Sequence, residues 1–145
     1  ADRGARLVRE MQARLSRLYA SDINAPRALY VTPGGVTAGS GTMIDAIMAA
    51  GGVTNVISEK GLAYWPNLPA EAVVADPPEF LVAGFFSSKS ERVSNWSAAR
   101  HPAFRKVFEA TPTVHLPTDV LSCPAWFSLD AAEAIARAIE GRRDD

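Results

Sequence analysis

The sequence has 145 residues, of which 48% are hydrophobic and 21% are charged, a balance typical of one globular domain that can bury a core. This composition excludes a disordered chain, a coiled coil and collagen. With 15 basic and 16 acidic residues the net charge is −1, so no nucleic-acid partner is predicted. The single cysteine, Cys123, cannot form an internal disulfide and decides little about the compartment.

The sequence predicts no membrane-spanning segment. Its longest apolar run, residues 80–86, is far shorter than the roughly 20 residues that a helix needs to cross a bilayer. Residues 1–4 lead into a charged helix rather than into the apolar core of a signal peptide. The pattern is also compatible with a chain trimmed from a secreted precursor.

A first helix is predicted over residues 2–20. Val8, Met11, Leu15 and Leu18 recur at steps of three and four residues, which indicates one buried stripe. Arginines occupy the other faces, and we expect them to be solvated. Residues 21–26 end this helix, because Pro26 disfavours helical backbone at the residue before it.

Strands and helices then alternate along the chain. Strands are predicted at residues 28–32, 55–57, 79–85 and 113–116, and helices at 42–50, 69–75, 94–110 and 124–140. The uninterrupted apolar run of the third strand is typical of a strand covered on both faces. The predicted fold is therefore α/β, a three-layer sandwich with a mostly parallel sheet of four to five strands. Pro124 is expected in the first turn of the last helix.

Catalytic and metal-binding motifs are lacking. His101 and His115 have no second ligand at metal-binding spacing, so each is expected to be structural and no metal site is predicted. Ser40 is flanked by Ala38 and Thr42 at the positions where a nucleophile elbow requires glycine. No residue is therefore predicted to be catalytic.

The glycine-rich loop 34–42 leaves two interpretations open. Glycine between a strand and a helix lets the backbone approach a ligand, and the helix start at Thr42 favours an acceptor or anionic group. The alternative is a tight turn capped by Ser40 or Thr42. The loop lacks the lysine of a phosphate-binding loop and the third glycine of a dinucleotide fingerprint.

Two tryptophans favour a binding surface. Trp65 and Trp126 lie in segments rich in turn-forming residues, each of which follows a predicted strand. The carboxyl ends of parallel strands form the ligand-binding edge of an open sheet. Aromatic side chains beside a glycine loop at this edge suggest a site for a large, flat or apolar ligand. Because no acid–base pair accompanies them, binding is favoured over catalysis.

Several stretches resemble a known family. They are LYV at 29–31, TAGSGT at 37–42, AGGVTN at 50–55, WPNLPAEAVVADPPEFLV at 65–82, VHLP at 114–117 and LSCPAWF at 121–127. Together they resemble the C-terminal lobe of the solute-binding proteins that serve ABC importers of iron-siderophore, haem and vitamin B12. The resemblance covers about residues 27–140.

The resemblance implies two α/β lobes joined by one long helix, with ligand held in the cleft between them. Residues 1–24 would be the end of the inter-lobe helix and its joint, residues 25–145 the C-terminal lobe, and the N-terminal lobe would be missing from this chain. The implied protein is periplasmic, or extracellular and membrane-tethered in a Gram-positive source. It is not an enzyme and has no resident cofactor, and its ligand is an iron chelate, haem or cobalamin.

The resemblance also assigns residues. Trp65 falls on the position that stacks against ligand, Trp126 falls in the other ligand-facing loop, and Glu71 matches the glutamate that docks on an arginine of the permease dimer. The remaining ligand-binding candidates beside these positions are Gly39, Ser40, Tyr64 and Ser122. No arginine, tyrosine or histidine marks a particular ligand.

Other interpretations of the same residues stay open. The chain could be a stand-alone α/β enzyme or nucleotide-binding domain that uses loop 34–42, or a lobe retained as a partner-docking module through Glu71. Trp65 could be a lid over the small helix that follows it. Glu71 could serve only the electrostatics of a helix N-terminus.

Overall fold

The computed structural model describes residues 2–19, 25–86 and 101–143. The elements are α1 Asp2–Tyr19, β1 Arg27–Val31, α2 Met43–Ala50, β2 Thr54–Asn55, α3 Val56–Glu59, α4 Ala70–Ala75, β3 Phe80–Gly84, α5 Pro102–Ala110, β4 Thr113–Leu116, α6 Thr118–Leu121 and α7 Ser128–Arg143. Two predicted features, the end of the first helix at residues 21–26 and the start of the fourth at 94–100, lie partly or wholly outside the described residues.

The strands form one four-stranded sheet in the order β2-β1-β3-β4. Every pairing is parallel, with Ala28 opposite Asn55, Val31 opposite Ala83 and Ala83 opposite His115. The predicted α/β fold with a parallel sheet is confirmed.

The central strands are buried on both faces, because helices cover each side of the sheet. Alternate residues of β1 and β3 enter two separate cores, as the two-residue period of a strand requires. Ala28 and Tyr30 pack towards α1, α2, α6 and α7. Leu29 and Val31 pack towards α3, α4 and α5. These are the three layers expected from the sequence.

The predicted weak strand at residues 55–57 is wrong for its last two residues. The strand ends at Asn55, and Val56 begins the short helix α3. The Asn55 side-chain oxygen accepts a hydrogen bond from the backbone N–H of Ile57 at 3.1 Å. This cap stabilises a helix start directly after the strand, so Ile57 is helical despite its β-branched side chain.

The last helix begins later than predicted. Pro124 does not lie in its first turn, since α7 starts at Ser128. The Ser128 hydroxyl accepts from the Ala125 N–H at 3.2 Å and donates to the Cys123 carbonyl at 3.3 Å. These bonds stabilise a turn over the residues between α6 and α7, and they leave the helix to begin after it.

The first helix is docked by its second half. Leu18 is buried, while Val8, predicted to lie in the buried stripe, is exposed. Arg14 donates to Glu133 at 2.7 Å and pairs with Asp130, both on α7. Val8 is exposed because the packing of α1 comes from the residues near Arg14 and Leu18. In the described ranges no helix is long and apolar enough to span a bilayer.

Candidate functional site

The strand order defines a crevice at the carboxyl edge of the sheet. From β1 the chain crosses through α2 to β2 on one side, and from β3 it crosses through α5 to β4 on the other. The two connections leave in opposite directions and pack on opposite faces. Such a switch point leaves a gap beyond the ends of the two central strands, which is where open α/β sheets bind ligands. Val31 and Gly84 end these strands.

The glycine loop and the tryptophan loop are joined at this edge by backbone hydrogen bonds. The N–H groups of Thr37, Gly39 and Ser40 donate to the carbonyls of Pro66, Tyr64 and Leu62 at 3.0, 2.8 and 3.1 Å. In return, the N–H groups of Tyr64 and Leu68 donate to Ser40 and Gly35 at 2.9 and 3.0 Å. The two loops therefore form one paired unit, and these amides are already satisfied.

Two glycines permit this pairing. Gly39 has no space for a side chain, because a β-carbon there would overlap the carbonyl oxygen of Leu62. Gly41 has a φ of +82°, and the position of a β-carbon there lies 3.5 Å from Cε1 of Tyr64. Because these two positions are glycine, the backbone of Leu62 and the ring of Tyr64 can lie against loop 34–42.

Beneath the paired loops lies a buried polar support. Asn55 donates to the Ala38 carbonyl at 2.9 Å and to the Asp45 carboxylate at 2.8 Å. Thr42 caps α2 by accepting from the Asp45 N–H at 3.1 Å, and its hydroxyl donates to the Gly39 carbonyl at 2.8 Å. Loop, helix and strand are thus held in one arrangement, as the predicted cap at Thr42 requires.

Four exposed aromatic side chains stand on the segments that follow the strands. Tyr64 is 70% exposed, Trp65 54%, Trp126 48% and Phe85 41%. Among the described residues, these four are the exposed large aromatics, and we call them the aromatic edge. Burying any of these rings against a ligand would remove a large apolar area from water. The sequence places Phe85 in the predicted third strand, residues 79–85, and its exposure is not apparent from the apolar run.

The predicted candidates differ in what they can offer. Gly39 and Ser40 lie in the paired loops with their amides in use. Ser122 follows α6, and its hydroxyl donates to the Thr118 carbonyl at 2.6 Å. Trp126 lies between α6 and α7 with its ring edge-on to Phe127, at a centroid distance of 6.0 Å. The amides of Gly39 and Ser40 are thus in use, and Trp65 and Trp126 present exposed side-chain area.

Glu71 lies in the first turn of α4, beside a groove that none of the four exposed aromatics lines. Its side chain is exposed and borders a groove of about 410 Å³ between α4 and α5. The groove is lined by Ala70, Glu71, Val74, Ala75, His101, Ala103 and Phe104. A carboxylate beside a mostly apolar groove can meet a basic residue of another protein.

Among the described residues, both histidines make contacts of a structural kind. His101 caps α5, its Nδ1 accepting from the Ala103 N–H at 3.4 Å, and His115 packs edge-on against Phe86 at 6.2 Å. Within the described ranges, no three metal-ligating side chains come together. An ionic cluster joins Arg27 to Asp76 at the start of β1, the opposite end of the sheet. There the guanidinium hydrogen bonds lower the pKa of Asp76 to about 2.

Comparisons with known proteins agree on the fold. No protein-family model matches the sequence, and no curated protein matches it. The haem-binding protein HutB of Vibrio cholerae is 19% identical with a TM-score of 0.75, over 93% of this chain and 55% of its own. The vitamin B12-binding protein BtuF of the same organism is 18% identical, with a TM-score of 0.70 over 94% and 52%. An Fe³⁺-hydroxamate transport protein of Saccharomonospora viridis is 20% identical, with a TM-score of 0.70 over 95% and 49%.

These likenesses confirm, at the level of fold, the resemblance stated from the sequence. Two of these structures are of binding proteins for haem and vitamin B12, the third belongs to an Fe³⁺-hydroxamate transport system, and this chain has the fold of one part of them. It spans about half of their length.

Proposed function

We propose that this chain is the ligand-binding C-terminal lobe of a solute-binding protein that delivers an iron chelate, haem or corrinoid to an ABC importer. The observation that carries the proposal is the aromatic edge, which lies at the carboxyl ends of the strands of a sheet with this fold. Large exposed rings on segments beside a switch point are costly in water and favour a ligand that covers them.

The chemistry of the edge favours binding without catalysis. Trp65 and Trp126 offer flat apolar area, with Tyr64 beside the first ring and Ser122 before the second. Gly39 and Ser40 contribute by supporting the loop of Trp65. Rings of this kind pack well against a macrocycle or the hydrocarbon arms of a chelate.

The alternative of a nucleotide-binding domain receives no support from loop 34–42. A phosphate-binding loop needs free backbone N–H groups that point at the ligand. Here the amides of Thr37, Gly39 and Ser40 donate to carbonyls of the neighbouring loop. A phosphate bound to these three amides would have to displace those bonds.

In the full proposal, residues 1–24 end the inter-lobe helix, residues 25–145 form the lobe, and a second lobe completes the cleft. The protein would act outside the cytoplasm, in the periplasm or tethered to the outer face of a Gram-positive membrane. Glu71 would dock an arginine of the permease dimer, and the exposed position of this carboxylate supports that role.

Binding measurements on wild type and a double variant test the proposal. Haemin, cyanocobalamin and ferrioxamine are titrated against the protein with both proposed lobes, because one side of the cleft alone would cover too little of the ligand. Equilibrium dialysis is used, which does not depend on tryptophan emission. We expect the wild type to bind one of them, and the Trp65→Ala, Trp126→Ala double variant to bind it about 100-fold more weakly, since a stacked ring contributes roughly tenfold.

Val74→Ala is the matched control, because it shortens an exposed apolar side chain on α4 away from the aromatic edge. This variant should bind as the wild type does. Absence of binding to all three probes, or equal binding by the double variant, would contradict the proposal. Glu71→Lys should bind ligand normally and lose transport in the full importer.

A further inference from the structure

We propose that Phe85 is a further ligand-contacting residue. It lies at the centre of the binding edge and is held there in an unfavourable backbone conformation. The inference rests on the proposed function and adds a contact to it. It concerns a residue that the sequence places in a buried strand and that the structure leaves 41% exposed.

Phe85 lies at the end of a central strand of the sheet. Phe85 directly follows Gly84, the last residue of β3. Strand β3 pairs with β1, and the crevice of the switch point opens beyond these two strands. Trp65 and Trp126 stand on segments that follow the outer strands β2 and β4. Phe85 is therefore the exposed aromatic closest in the chain to the crevice.

The backbone of Phe85 has an unfavourable conformation. Phe85 has a φ of +62° and Tyr64 a φ of +59°, and in the described part of the chain they are the non-glycine residues with positive φ. Left-handed backbone is unfavourable for bulky side chains and is routinely adopted by glycine. Both residues are exposed aromatics of the aromatic edge. Neither ring is fully buried, so packing in a core does not offset the backbone strain. This pattern is expected of strained residues at functional sites.

The residues that surround Phe85 explain why its side chain turns outward. The ring of Tyr30 lies under Gly84, so that a β-carbon at position 84 would overlap its hydroxyl group. On the other side, Phe86 packs on the core that contains Leu81 and contacts His115 edge-on. Phe86 is thus anchored and Tyr30 occupies the space before it. Phe85 is the side chain between them that turns outward.

The chemistry of the side chain limits what it contacts. A phenyl ring has no charge and no hydrogen-bond donor, so it suits a flat or apolar face of a ligand. A small hydrophilic anion would gain nothing from it. The structure thus favours a ligand that places a macrocycle, or the apolar arm of a chelate, against Phe85 at the centre of the edge.

The test separates a binding role from a structural one. Phe85→Gly removes the ring and relieves the left-handed strain, and Phe85→Tyr keeps the ring. We expect Phe85→Gly to unfold at the same temperature as the wild type or about 3 °C higher. Its affinity for whichever of haemin, cyanocobalamin or ferrioxamine the wild type binds should fall about tenfold. Phe85→Tyr should bind as the wild type does.

Each other result has a distinct meaning. A Phe85→Gly protein that unfolds several degrees lower would show the ring to be structural and overturn the inference. Unchanged affinity in Phe85→Gly, with weakened binding in Trp65→Ala, would overturn it while leaving the proposed function intact. A wild type that binds none of the three probes would overturn the proposed function, and this inference with it.

Discussion

Gly39 and Leu62 pass so closely that a β-carbon on Gly39 would overlap the carbonyl oxygen of Leu62. Gly39→Ala must therefore push the two paired loops apart. We expect a loss of about 2 kcal/mol in the free energy of unfolding, the usual cost of overpacking, measured by urea denaturation. Gly34→Ala is the control, because nothing lies within 4 Å of a β-carbon there. Its stability should change by less than about 0.5 kcal/mol; equal losses in both variants would contradict the explanation.

Asn55 is predicted to be a strong contributor to stability. It is 6% exposed, and its side chain bonds Ala38, Asp45 and the N–H of Ile57. Asn55→Ala removes the cap of α3 and leaves a buried carbonyl without its donor. We expect a loss of about 2–3 kcal/mol by urea denaturation. The exposed neighbour Thr54→Ala should change stability little, and a similar loss there would indicate a strand effect instead.

The ion pairs of Arg14 are expected to dock α1 on α7. The Arg14 side chain is 12% exposed, between Asp130 and Glu133, and its guanidinium lowers the pKa of Glu133. Arg14→Ala should lower the free energy of unfolding by about 1–2 kcal/mol, because it leaves a half-buried carboxylate without its donor. Arg6→Ala, on the exposed half of α1, is the control. If both variants are as stable as the wild type, packing around Leu18 alone docks the helix.

A specific acid dependence of stability is predicted for Asp76. Its pKa falls from 3.8 to about 2 through hydrogen bonds to Arg27 and Lys60. A lowered folded-state pKa adds stability that is present above the ordinary value and is lost as the pH falls towards 2. Asp76→Asn should therefore flatten the fall in the urea midpoint between about pH 4 and pH 2.

Salt provides the control for this acid dependence. Asp76 is an exposed carboxylate, so about 1 M NaCl should reduce the difference between wild type and Asp76→Asn by screening. Identical pH profiles of the two proteins at low salt would contradict the assignment. The hydrogen bond from Arg14 also lowers the pKa of Glu133, so titration of this second carboxyl group should leave the variant part of the slope.

Much of the fold follows from local sequence features. The apolar run of β3 predicts a strand buried on both faces, and Thr42 with Gly51 predicts both ends of α2. Ile57 is different, because whether it extends a strand or starts a helix depends on the Asn55 side chain. Pro124 likewise matches a helix start, yet the Ser128 bonds decide where α7 begins.

The candidate site was only partly predictable. Trp65 and Trp126 are recognisable because large rings among turn-forming residues have no place in a periodic core pattern. Phe85 is hidden, since an apolar run shows neither where a strand ends nor that the next residue has left-handed backbone. Its central position also depends on the strand order, which requires pairings between distant segments.

The pairing of loop 34–42 with the Trp65 loop has an entropic consequence. The hydrogen bonds from Thr37, Gly39 and Ser40 already hold the backbone that carries Tyr64 and Trp65. A ligand that lands on these rings therefore has little chain to order, and the conformational penalty of association is limited to side-chain rotamers, roughly 0.5–1.5 kcal/mol for each immobilised side chain. A flexible loop would lose backbone conformational entropy on binding, whereas this loop pair has already lost it on folding.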